Sequence, residues 1–112
     1  MKAEHEDLLR KLALNEEGAL ASLLGTELID GEPGGMDAKT AALVRLAGLI
    51  AVGSAPASYQ WCVTSALAAG ANDAEVVAVL AALAPIVGSV RVNAAAPEVA
   101  LAIGCDLDLY DG

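Results

Sequence analysis

Cys62 is the residue best suited by type to covalent chemistry, because a thiolate is a nucleophile and a redox-active group. It lies in the stretch Ser54-Ala-Pro-Ala-Ser-Tyr-Gln-Trp-Cys-Val-Thr-Ser-Ala-Leu-Ala-Ala-Gly-Ala-Asn-Asp-Ala-Glu75, with Tyr59 and the chain's only tryptophan, Trp61. On a helix, Ser58, Tyr59, Ser65 and Ala66 are its neighbours three and four residues away, a mildly polar face able to line a pocket. Against a reactive thiol, position 62 falls mid-helix, beyond the reach of the N-terminal dipole, and no His or Lys is near it in sequence. An apolar setting raises a thiol's pKa and makes it inert. Cys62 is therefore a packing cysteine or a nucleophile, and both readings stay open here. Tyr59 and Trp61 are core or interface residues, or contacts to an apolar small molecule.

Three further side chains fit a ligand site. Arg45 interrupts an otherwise apolar segment, which calls for an ion pair, a subunit boundary or an anionic ligand, since an unpaired buried charge is costly. Arg91 could hold a carboxylate and Asn93 orient a carbonyl; the plainer reading of both is solvated or at an interface. Cys105 is given no role. The lone histidine, His5, is expected to be solvated in an exposed first turn. No ligand spacing for a metal is present, no cofactor is implied, and Gly34-Gly35 is a connector because no Gly-Lys-Ser/Thr follows it.

The elements that must position these residues are helical. Residues 3–24 carry a leucine stripe and predict an amphipathic helix, with Gly18 marking a bend or break. Residues 26–36 predict a loop. Asp37 is placed to cap a helix running to about Val52 that is nearly buried all round. The third helix spans Ala55–Ala69, capped by Ser54, with Pro56 in its first turn and Gly70 at its end. Asn72 and Glu75 form a capping box for the fourth helix, which Pro85 is expected to end or kink near Leu83–Ala84. A last helix, roughly Ser89–Ile103, contains Pro97 and closes at Gly104, before an acidic tail over 105–112. No segment alternates with period two, so the fold class is all-α, one domain over 1–112 with its core in 37–104.

Composition bounds the partners. The chain is 56% hydrophobic but only 3% aromatic, without Phe, so its apolar mass is Ala, Leu and Val. That much apolar surface exceeds what one small core hides, which predicts a homo-oligomer. The net charge of −9 argues against nucleic acid as a partner and disfavours anionic membranes. Residues 46–72 are uncharged, but Gly53-Ser54-Ala55-Pro56 and the polar residues after it divide the run into two helices of a soluble protein. Two separated thiols and no apolar leader point to a reducing cytoplasm.

From Asp37 to about Ala96 the chain resembles the carboxymuconolactone decarboxylase family, which includes the AhpD-like alkylhydroperoxidases. The resemblance rests on Asp37-Ala-Lys-Thr-Ala-Ala-Leu-Val-Arg-Leu-Ala, then Ala66-Leu-Ala-Ala-Gly-Ala-Asn-Asp-Ala-Glu-Val, then Ala84-Pro-Ile-Val-Gly-Ser-Val-Arg-Val-Asn-Ala, in that order and spacing. It implies an antiparallel all-helical fold assembled as homotrimers or homohexamers. The peroxidase branch carries CxxC followed by His at the start of the third helix. Here those cysteine positions are Ser54 and Ala57, or Ala55 and Ser58, so neither register supplies a thiol pair. The decarboxylase-like branch keeps a His eight residues before the glycine held by Gly70, and that position is Cys62. Its acidic residue falls at about Ala42, its Tyr at Ile86 and its Pro at Val90. Groups that could transfer protons have become less polar. The resemblance leaves three functions: a binder of a small apolar, organic-acid or lactone ligand beside Cys62; a non-catalytic oligomeric scaffold or accessory protein; and a residual thiol peroxidase.

Overall fold

The computed structural model describes residues 2–16, 18 and 35–105. Five helices are described: α1 (Lys2–Ala13), α2 (Ala38–Val52), α3 (Pro56–Ala68), α4 (Asp73–Val87) and α5 (Ser89–Ala102). Among the described residues there is no strand, and the fold is an all-α bundle, as expected. The chain forms two compact units, Met1–Gly34 and Gly35–Gly112. The predicted loop up to residue 34, the tail beyond 105 and the side chain of His5 lie outside the described residues.

In the first unit α1 ends at Ala13, ahead of the bend or break expected at Gly18, and residues 19–24 of the expected helical stretch lie outside the described residues. Asn15 adopts a φ of 53°, a conformation asparagine tolerates better than most residues. The Asn15 N–H then bonds the Leu12 carbonyl, and the Glu16 N–H bonds the Lys11 carbonyl. This closes the last turn as a Schellman motif. Asp7 pairs with Arg10 at 3.6 Å and Lys11 at 3.2 Å on the exposed surface, where such pairs contribute little.

In the second unit each of α2, α3, α4 and α5 packs against the other three. Their shared core holds Ala42, Leu46 and Ile50 of α2, Tyr59, Cys62, Val63 and Ala66 of α3, Val76 of α4, and Ala95 and Val99 of α5. The spacings of three and four residues follow from the helical period: each helix contributes one stripe. Among the described residues no polar or charged residue is buried. The expectation that α2 is buried nearly all round is corrected, because Val44 and Val52 are exposed in the chain alone.

Local signals explain most ends. Asp37 accepts from the Thr40 N–H at 2.7 Å, and Asn72 and Glu75 form the reciprocal capping box. Schellman bonds recur after α3, around Gly70, and after α5, around Gly104. Two expectations fail. Ser54 is not the cap of α3: Ala55 takes that position without a side-chain bond. Pro85 does not end α4, which runs on to Val87 and stops at Gly88. Proline there removes one N–H in the final turn, and both Pro85 and Ala81, whose carbonyl loses its partner, are exposed to water. Pro97 is likewise exposed and lies within the continuous α5.

Candidate functional site around Cys62

Cys62 sits on the core stripe of α3 and is only 3% exposed. It is a free thiol. Burial pushes its pKa above the ordinary thiol range, and the positive charge of half-buried Arg45 opposes that shift without cancelling it. The thiol is thus held in its protonated, weakly nucleophilic form at neutral pH.

Tyr59, one turn earlier, shares the cluster with Cys62 and is also buried. Its phenol donates to the Leu49 carbonyl and accepts from the Ser54 N–H, each at 3.2 Å. The hydroxyl therefore ties the last turn of α2 to the connector leading into α3. Ser54 lies one residue before the N-cap, with its backbone N–H held by the Tyr59 hydroxyl. Ser58 is half-buried beside this stripe.

Arg91 reaches the same connector from α5. Its Nη1 donates to the Val52 carbonyl at 2.9 Å, supplying one of the partners that a helix C-terminus lacks. Gly53 makes this approach possible: its φ is 78°, and a Cβ there would stand 2.8 Å from Arg91 Nη1. Asn93, two residues on, is exposed. Trp61 is 49% exposed and stands outside the core cluster.

The candidate residues thus divide. Tyr59 and Cys62 lie together in the core cluster, while Tyr59 and Arg91 converge on the Leu49–Ser54 segment as backbone partners. Sequence reasoning missed a cleft of about 130 Å³ between α3 and α5, lined by Pro56, Gln60, Glu98, Leu101 and Ala102. Its signal was present only as spacing: Gln60 follows Pro56 by one turn, and Glu98 precedes Ala102 by one turn. Sequence reasoning also missed the 3.0 Å ion pair of Lys39 with Glu75, which joins the first turns of α2 and α4.

The geometry defines an all-α bundle with a buried thiol in its core. Residues 18–101 match the model of the carboxymuconolactone decarboxylase family, most of the chain, and the protein belongs to that family. No curated protein and no solved structure matches the chain. No described helix is long and apolar enough to cross a membrane.

Proposed function

We propose that this protein is a self-associating, non-catalytic member of the carboxymuconolactone decarboxylase family, a scaffold or accessory protein that has lost the family's chemistry. The observation that carries this reading is Cys62, where the resemblance implies a histidine: an apolar thiol packed to 3% exposure occupies that position. The absence of any CxxC pair in the sequence supports it further, since disulfide cycling needs two thiols in reach of each other. Tyr59 and Arg91 also have backbone work that accounts for their positions. Exposed Val44, Val52, Trp61 and Leu101 supply apolar surface for a homotrimer or homohexamer. Two free thiols suit a reducing, cytoplasmic setting.

A second reading has one observation in its favour. Arg45 brings positive charge to a buried thiol, and a cation near an apolar wall suits an organic acid or lactone bound beside α3, with Ser58, Tyr59 and Trp61 lining it and Arg91 and Asn93 at its edge. Trp61 is the only tryptophan, so its fluorescence reports binding near α3. The scaffold reading expects no saturable change across a panel of organic acids and lactones. It also expects no turnover of lactone or hydroperoxide. Saturable quenching that disappears in Arg45→Ala establishes the ligand reading instead, and peroxide consumption abolished in Cys62→Ser establishes a thiol peroxidase.

A further inference from the structure

The cleft between α3 and α5 holds two polar side chains that no protein group satisfies. Its volume is about 130 Å³, and its lining is Pro56, Gln60, Glu98, Leu101 and Ala102. Among the described residues, neither the Gln60 amide nor the Glu98 carboxylate has a side-chain hydrogen bond or ion pair. Glu98 is half-buried, so its charge is only partly returned to water. It stands toward the C-terminal end of α5, where the helix dipole is negative, and the last turn of α5 carries no base to offset it. After Arg45 the only Lys or Arg is Arg91, and its Nη1 donates to the Val52 carbonyl. The α3 side supplies little to balance the charge, because Pro56 opens that helix and has no N–H to present.

We propose that this cleft binds a small organic cation, a primary ammonium on a short apolar chain. The Glu98 carboxylate accepts one ammonium N–H and the Gln60 side-chain carbonyl accepts a second, while the third faces water. The apolar chain lies against Pro56, Leu101 and Ala102. Size sets the class: a cavity of about 150 Å³ holds benzene, so this cleft takes a ligand of about five or six heavy atoms. The donor set selects against the alternatives. An anion meets no cation among the lining residues. A divalent metal ion takes more oxygen ligands than one carboxylate and one amide provide, and no metal-holding cluster occurs among the described residues. A neutral apolar molecule would cover Glu98 and Gln60 without giving either a partner. The cleft is distinct from the Cys62 centre, since Pro56 and Gln60 are exposed on α3 while Tyr59 and Cys62 are buried. The proposal therefore does not depend on whether the family's chemistry is lost.

The test titrates the isotope-labelled full chain with butylammonium chloride at fixed ionic strength and reads amide chemical shifts. Butanol and sodium butyrate serve as the neutral and anionic counterparts. Butylammonium is expected to give saturable shifts at the Gln60 side-chain amide and at the backbone amides of Glu98, Leu101 and Ala102. Butanol and butyrate are expected to bind there at least about tenfold more weakly. Glu98→Gln is expected to weaken butylammonium at least about tenfold with helix content unchanged. Gln60→Glu adds a second carboxylate and is expected to tighten binding about threefold or more, with a steeper dependence on salt. If Glu98→Gln unfolds the chain, Gln60→Glu decides by the same readout. Shifts that grow without saturating, that butanol or butyrate reproduces at equal affinity, or that both variants leave unchanged overturn the site. Such a failure leaves the scaffold reading standing, because that reading is decided by turnover and by ligands beside Cys62.

Discussion

Tyr59 illustrates how a residue with the chemistry of an acid–base catalyst can serve as a strut. Its hydroxyl connects the Leu49 carbonyl to the Ser54 N–H. Tyr59→Phe keeps the ring and removes both bonds, and is expected to lower stability by about 1–2 kcal/mol, seen as a shift in urea midpoint without a change in slope. Gly53 and Arg91 form a second local unit. Gly53→Ala places a methyl 2.8 Å from Arg91 Nη1 at a φ of 78°, and is expected to cost about 1–3 kcal/mol through backbone strain and the displaced guanidinium. Arg91→Ala loses the bond to the Val52 carbonyl but makes room for that methyl. The double variant is therefore expected to be less destabilised than the sum of the singles, which a double-mutant cycle measures directly.

At the scale of elements, the starts of α2 and α4 carry pH-sensitive stability. The Thr40 backbone N–H holds the Asp37 carboxyl below its usual range. The Lys39 ammonium, with the Asn72 N–H, does the same for Glu75. A carboxylate whose folded pKa is depressed contributes stability that is complete above its unfolded pKa and is lost as pH falls through the folded one. Asp37→Asn and Glu75→Gln keep hydrogen-bond acceptors without charge. Thermal melts of each are expected to show a smaller loss between neutral and acidic pH than the wild type. Asn72→Ala is expected to cost about 1 kcal/mol by removing the cap of α4. These caps were legible in the sequence because they depend on residues three apart, as were the glycine stops. The end of α1 was harder to read, because asparagine is an optional terminator and the leucine stripe continued past it. Pro85 was misjudged because the cost of a missing N–H depends on whether water reaches the freed carbonyl. Arg91, Gly53 and the Lys39–Glu75 pair were not legible at all: they join residues 36 or more positions apart, and only the packing of helices sets that distance.

For the whole molecule, the four helices α2 to α5 enclose one apolar core, and Cys62 lies inside it. Sequence spacing placed Tyr59 and Cys62 on one face; it could not say whether that face opens on a cavity or closes on neighbours. Closure makes the thiol a reporter of global opening, because a reagent reaches it only when the bundle comes apart. Its raised pKa adds a pH signature: the unfolded thiol ionises first, so stability is intact below the ordinary thiol range and falls as pH rises through it toward the higher folded value. The most direct measurement is the labelling rate of the full chain by a thiol-specific disulfide reagent, with Cys105→Ser isolating Cys62. Exposed Cys105 is expected to react at the rate of a free thiol. Cys62 should be at least about a thousandfold slower until denaturant removes the protection. A Cys62 that labels in the native protein as fast as Cys105, or faster, would contradict the sealed centre and with it the loss of chemistry.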